Sequence, residues 1–317
     1  MRYRNIAELK VSNLCLGTNI FGWTIDRSQA FAVLDAFRAA GGSFLDTADV
    51  YSAFIDGLKG GESETIIGEW MATRGCREET VLATKVGAMG PLTAQNIRSS
   101  LEGSLRRLQT DYVDIYYAHI YDTETPLEDT LGTFDALIRE GKVRQIAASN
   151  HSAAQLVKAL GVSNREGFAR YVALSPCYNL IDRHEYESEL RAVCERESVM
   201  CVPYYGLARG FLTGKFSSPA TAQTMRGMLN GHDYADNARA HALASAVVTI
   251  AQELNLSAAA VALSWLAMQP TVTAPIASAR TPGQLADLLA MNVTTLSAEQ
   301  LARLRGASVA AGATPHA

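Results

Sequence analysis

Eight short runs of β-branched and aromatic residues, most of them followed by an amphipathic stretch, recur along almost the whole chain. This pattern belongs to a sheet built from βα units. The runs are Asn13–Thr18, Ser43–Ala48, Val81–Val86, Tyr112–Ala118, Gln145–Ser149, Val172–Tyr178, Val199–Tyr204 and Val272–Ala277. Eight parallel strands close a barrel, so the expected fold class is α/β, a (β/α)8 TIM barrel. Between the runs, Ala30, Val33, Leu34 and Phe37 form an apolar helical stripe, as do Ile97, Leu101, Leu105 and Leu108; both should face the strands. A further stripe, Leu127, Leu131, Phe134 and Ile138, follows Thr125-Pro126 with Glu128, which reads as a capping box with proline at the first helical position.

Strand starts recur at intervals of roughly 26–38 residues up to the seventh, and then about 73 residues pass before the eighth. That gap holds a polar loop, Phe216–Asn237, and two helical stretches, Ala238–Leu254 and Ser257–Gln269, one more than the βα count needs. Another helix, Ser297–Arg305, is expected after the barrel, and Met1–Val11 is expected to form a hairpin plugging its bottom. No linker-like shift in composition interrupts residues 1–317, and the reading is one domain.

Charge and cysteine usage exclude several classes of partner. With 28 Lys+Arg against 32 Asp+Glu, a net charge of -4 and no basic block, nucleic acid is a poor partner. The five cysteines are odd in number, widely spaced and free of any C-x-x-C pair, which fits a reduced cytoplasmic interior. The longest near-apolar run, Ser257 to Met268, is too short to cross a bilayer, and the N-terminal MRYRNIAELK has no apolar core of a signal peptide. No membrane partner and no metal site are expected, and oligomeric state has no signature here.

In a parallel barrel the working groups stand at the C-terminal ends of strands. Strand two ends in Asp46-Thr47-Ala48-Asp49-Val50-Tyr51, strand three in Thr84-Lys85-Val86, strand four in Tyr116-Tyr117-Ala118-His119 and strand five in Ser149-Asn150. A lysine ending an apolar strand is costly to bury without a carboxylate, and Asp46 is the obvious partner. A phenol, ordinarily near pKa 10, is too weak an acid at neutral pH, and a cation a few Å away lowers it; Lys85 is placed to do this to Tyr51. An imidazole at His119 can hydrogen-bond the same substrate oxygen. Singly, each residue has an ordinary structural reading as a cap, a loop tyrosine, a solvated strand end or a core histidine. Convergence of all four on one rim is what argues for chemistry.

Those residues carry a resemblance. Asp46-Thr47-Ala48-x-x-Tyr51, Ala83-Thr84-Lys85, Asp114-x-Tyr116-Tyr117-x-x-Ile120 and His119 resemble the aldo-keto reductase superfamily, from about residue 3 to residue 306. Gly61-Glu62-Ser63-Glu64, Tyr204-x-x-Leu207-x-x-Gly210-x-Leu212-Thr213-Gly214-Lys215 and Arg280-x-x-x-Gln284-Leu285 extend it. The resemblance implies NADPH-dependent reduction of an aldehyde or ketone, sugar-derived carbonyls included. Tyr51 is then the proton donor, Lys85 lowers its pKa, Asp46 orients Lys85 and His119 positions the carbonyl.

For the cofactor, no G-x-G-x-x-G follows a strand, so a Rossmann site is not indicated. Gly210-Phe211-Leu212-Thr213-Gly214-Lys215 has the wrong spacing for a P-loop, with Phe216 where a magnesium-binding hydroxyl belongs. Arg280 directly precedes Thr281-Pro282-Gly283-Gln284, a capping box that puts a cation beside exposed backbone N–H groups, and a 2′-phosphate would suit it, favouring NADPH over NADH. The resemblance further implies that Ser149 and Asn150 hold the carboxamide, that Tyr204 stacks on the nicotinamide, that Thr18 lies near the ribose and that Lys215 meets the pyrophosphate, with Leu207 and Gly210 in the same cofactor loop. Ser175 stands where the family usually has glutamine, Tyr204-Tyr205-Gly206 where Tyr-Ser-Pro is common, and Leu288 where an asparagine often contacts adenine. Phe21-Gly22-Trp23 is expected at the substrate mouth, Trp23 stacking on a sugar or lining an apolar pocket, and Arg209 attracts an anionic group or decorates the surface. Two further readings are an NADPH-binding regulatory subunit like the potassium-channel β-subunits of the superfamily, and a sugar dehydrogenase working mainly in the oxidising direction.

Overall fold

A computed structural model describes residues 1–215, 234 and 237–310. The polar loop read at Phe216–Asn237 lies mostly outside them.

The chain opens with an antiparallel hairpin, β1 (Tyr3–Ile6) and β2 (Leu9–Ser12). Eight parallel strands follow: β3 (Cys15–Gly17), β4 (Phe44–Asp46), β5 (Val81–Val86), β6 (Val113–Ala118), β7 (Val143–Ser149), β8 (Tyr171–Ser175), β9 (Met200–Cys201) and β10 (Ile276–Ala277). From β4 to β9 each pairs with its predecessor, and β10 returns to β3 through Ile276 opposite Cys15. The remaining seam is closed by Thr273 N–H to Cys201 O at 2.7 Å and Ile276 N–H to Pro203 O at 2.8 Å. The sheet is therefore a closed (β/α)8 barrel. The last strands are shorter than their apolar runs because Pro203 and Pro275 have no N–H for the ladder.

The helices between the strands are α1 (Arg27–Ala39), α2 (Glu62–Arg74), α3 (Ala94–Leu108), α4 (Leu127–Arg139), α5 (Ala153–Glu166) and α6 (Arg191–Glu197). Two more, α7 (Ala238–Leu254) and α8 (Ala258–Ala267), fill the long gap before β10, and α9 (Pro282–Leu289) and α10 (Ala298–Ala310) follow it. The expected stripes on α1, α3 and α4 are buried against the strands, apart from the half-buried Ile138. One detail differs: Thr125 makes no cap, Pro126 itself holds the cap position of α4, and Asp122 instead accepts the N–H groups of Glu124 and Thr125.

Strand alternation sorts the side chains into two cores. Phe44, Ala83, Ile115, Tyr117, Ala147 and Ala173 point into the barrel, where Ile6, Leu9 and Val11 of the hairpin join them and seal its N-terminal end. Their odd-even partners Leu45, Leu82, Tyr116 and Ile146 face the helices. The parity has a functional consequence: two residues beyond Phe44 and Ala83, Asp46 and Lys85 also point inward, at the opposite end. Among the described residues no single helix is long and apolar enough to cross a membrane.

Candidate active site

Lys85 is 3% exposed and Asp46 2%, at the ends of adjacent strands β5 and β4. The ammonium uses all three donors. It lies 2.7 Å from both Asp46 oxygens, bonded to Oδ2, and donates to Thr47 O at 2.8 Å and to the Tyr51 phenol oxygen at 2.8 Å. The phenol donates back to Asp46 Oδ2 at 3.0 Å. A buried ion pair of this kind contributes little net stability, since desolvation offsets its attraction, but it fixes both partners. The His119 ring stands edge-on to Tyr51, centroids 6.3 Å apart. Its buried Nδ1 has no hydrogen-bond partner, and burial together with the Lys85 charge lowers its pKa to about 3, so the imidazole is neutral.

The four residues picked out from strand ends thus meet. The expected acidity of the phenol does not hold: burial, and then the Asp46 charge, push Tyr51 well above its ordinary value. The cation is present at hydrogen-bond distance, yet a carboxylate on its other side neutralises it and also holds the phenol proton. At rest the site keeps a protonated tyrosine.

The loop presenting Tyr51 is held from below by the Gly61-Glu62-Ser63-Glu64 segment, whose role is structural. Ser63 Oγ bonds the hydroxyls of Thr18 (2.7 Å) and Thr47 (2.9 Å), and the fully buried Glu64 accepts from Thr84 (2.6 Å) and Arg107 (2.7 Å). Thr18 is fully buried, with its hydroxyl donated to Asp46 O at 2.8 Å, so the structure spends it on holding the end of β4. Asp114 likewise sits away from the mouth, between Arg77 and Arg144 and bonded to Leu82 N–H. Sequence reasoning passed over Asp49. Its Oδ1 is buried without a partner near Glu64, and burial, then that negative charge, raise its pKa to about 7. The sequence marks it only as one acid in an Asp-rich turn.

Beside the tetrad lies a second polar cluster. Asn150, at φ 54°, donates through Nδ2 to His119 O (2.9 Å) and Ser149 Oγ (3.1 Å), and its Oδ1 accepts the Tyr204 hydroxyl (2.7 Å). Neither Ser149 nor Asn150 caps α5; Ser152 does. Ser149 Oγ donates to Ser175 O at 2.9 Å, while the buried Ser175 Oγ has no partner. After Tyr204 the backbone turns left-handed at Tyr205, Ala208, Arg209 and Gly210, with Leu207 half-buried between them and Lys215 exposed just beyond. At the three non-glycine positions such conformations cost of order 1–3 kcal/mol each, and they gather at functional loops. At the end of the neighbouring strand β10, Arg280 is exposed before α9. Thr281 caps Gln284 N–H at 3.2 Å as expected, but the Gln284 side chain reaches one residue further back, to Arg280 N–H at 2.9 Å. Leu288 is buried in the core. Trp23 donates its indole N–H to Asn19 O at 2.6 Å and sets its ring edge-on to Phe54, 5.8 Å between centroids. A cleft of about 690 Å³ between α3 and α4, lined by Pro91, Arg98, Glu124 and Asp129 among others, contains none of these groups.

Comparison with known proteins agrees with this geometry. The Aldo/keto reductase family matches residues 13–309. An uncharacterized oxidoreductase, YrpG, of Bacillus subtilis is 35% identical over 95% of this chain and 94% of its own length. Norsolorinic acid reductase stcV of Emericella nidulans is 32% identical (93% and 76%), and a probable voltage-gated potassium channel subunit beta of Oryza sativa is 33% identical (90% and 90%). With a closed barrel, an ion-paired lysine and tyrosine at its mouth, and a match spanning nearly its whole length, the chain belongs to the aldo/keto reductase family, oxidoreductases that generally use NAD(P)H.

Proposed function

We propose that this protein is an NADPH-dependent reductase of aldehydes or ketones. The observation that carries the reading is the Tyr51 phenol, bonded to Lys85 at 2.8 Å and to Asp46 at 3.0 Å with His119 beside it. A proton donor must hold its proton until negative charge develops on the substrate oxygen. Burial and Asp46 keep the phenol protonated, and Lys85 is already in place to stabilise the phenolate left after transfer. His119, neutral throughout the physiological range, offers an N–H to the same oxygen without adding charge. The phenol is reprotonated from solvent after the alcohol leaves.

The residues around the mouth suit the cofactor. The unpartnered Ser175 Oγ, together with Ser149 and Asn150, offers hydrogen-bonding groups for a carboxamide; Tyr204 offers a ring face; Leu207, Gly210 and Lys215 form a loop suited to a pyrophosphate; Arg280 and Gln284 suit a 2′-phosphate. NADPH held by these groups would supply hydride chemistry at the carbonyl carbon, and Tyr51 would supply the proton to its oxygen. Five free cysteines, four of them buried, fit a reducing compartment such as the cytoplasm.

A second reading, a regulatory NADPH-binding subunit, is favoured by the likeness to potassium channel subunits beta. A panel of carbonyl compounds and aldoses, with NADPH oxidation and NADP+ reduction followed optically, tests both readings and the direction of reaction. Tyr51→Phe should lower carbonyl reduction by on the order of 10²–10⁴ with NADPH affinity nearly unchanged. Loss of NADPH binding instead, or a fully active variant, refutes the role; tight NADPH binding by wild type without turnover on any carbonyl selects the regulatory reading.

A further inference from the structure

The loops after β4, β5, β6 and β9 carry Phe54, Met89, Ile120 and Tyr205, which are 66%, 76%, 44% and 40% exposed. Among the described residues only eight large hydrophobic side chains are exposed to this degree, and half of them stand on this one rim. The others are scattered: Tyr3 on the bottom hairpin, Val157 on α5, Met268 after α8 and Val293 after α9. Scattered exposure is ordinary, whereas exposed apolar side chains gathered on one rim point to a binding surface. Three of these residues follow a tetrad residue closely along the chain. Phe54 follows Tyr51 by three positions, Met89 follows Lys85 by four, and Ile120 follows His119 directly. Tyr205 sets its ring edge-on to Tyr204, 4.8 Å between centroids, beside the Asn150 cluster. Trp23 belongs to the same wall: its N–H is spent on Asn19 O at 2.6 Å, so it presents hydrocarbon, with an edge against Phe54.

A polyhydroxylated substrate needs a partner for each hydroxyl it brings out of water. Trp23, Phe54, Met89 and Ile120 offer none. We propose that the substrate is a bulky apolar carbonyl compound, aromatic or long-chain, whose body lies across Trp23, Phe54, Met89 and Ile120 while its carbonyl oxygen meets Tyr51 and His119. The inference rests on the reductase reading and narrows its substrate class away from sugar-derived carbonyls.

The test has a kinetic and a binding arm. In the first, kcat/KM is measured for straight-chain aldehydes from butanal to decanal and for glyceraldehyde and erythrose, with wild type and with Phe54→Ser/Met89→Ser. A methylene fully buried is worth about fourfold, so wild type should gain roughly two- to fourfold per carbon until the rim is covered, and the aldoses should trail octanal by at least about 10². The double variant should flatten this gradient. A flat gradient in wild type, the same gradient in both proteins, or aldoses as the best substrates would overturn the proposal. In the second arm, binding of 2-acetylnaphthalene is measured by calorimetry with NADP+ present, and Phe54→Ser/Met89→Ser should weaken it by about tenfold; equal binding counts against the rim. Rim-dependent binding with no carbonyl turned over sinks the reductase reading and keeps the rim. Turnover with a flat gradient does the reverse.

Discussion

Asp49 supplies a stringent test of the electrostatics around the catalytic loop. It stands on that loop, with Oδ1 of its carboxyl buried and unpartnered. It faces the carboxylate of Glu64 on α2, the Arg107 guanidinium on α3, Lys85 on β5 and the Tyr116 phenol on β6. Burial and Glu64 prevail over the two cations and raise its pKa from an ordinary 3.8 to about 7. The folded state therefore keeps a proton that the unfolded chain releases. Below pH 4 both states are protonated and the group has no pH-dependent effect. Between pH 4 and 7 the unfolded chain binds fewer protons, and stability falls as pH rises. Above 7 both are ionised and the loss is complete. At about 1.4 kcal/mol per tenfold the ceiling is roughly 4 kcal/mol, and solvent relaxation around a half-buried side chain reduces it to about 2–4. An amide at this position never ionises, so the stability difference between Asp49→Asn and wild type should grow across this window and level off above it. In melting temperature the change is roughly 3–6 °C for a chain of this size. Urea unfolding at half-unit steps from pH 4.5 to 8.5 measures it directly. A difference that is flat with pH, or that shrinks as pH rises, would refute the assigned environment.

Arg280→Ala should raise Kd for NADPH by tenfold or more and leave NADH within about twofold, because only the former presents a 2′-phosphate to the guanidinium. Equal losses in fluorescence titrations would remove Arg280 from that role. Lys85→Met strands Asp46 as a buried carboxylate and should cost about 3–5 kcal/mol in urea unfolding, while adding Asp46→Asn should restore much of it. A double variant no more stable than Lys85→Met would show that the pair is not the source of the loss.

The strands and the tetrad were legible because each rests on a local rule. Period-two and period-3.6 patterns placed the elements, and the restriction of chemistry to strand ends then selected Asp46, Lys85 and His119 with Tyr51 on the adjoining loop. Capping was less legible: the Thr125–Glu128 spacing suggested a box that Asp122 displaces, and Gln284 reaches past its cap to Arg280 N–H. Spacing names the groups able to cap, whereas the route of the preceding chain chooses among them.

What the residue order determined by itself is which face of each strand and helix is apolar, since alternation and helical period are properties of neighbours along the chain. The direction of the Tyr51 pKa, the half-titrated state of Asp49 and the apolar rim of Phe54, Met89 and Ile120 were decided only when distant segments packed together. Desolvation and Coulomb energy depend on distances through space, and those distances are set by the closure of the barrel.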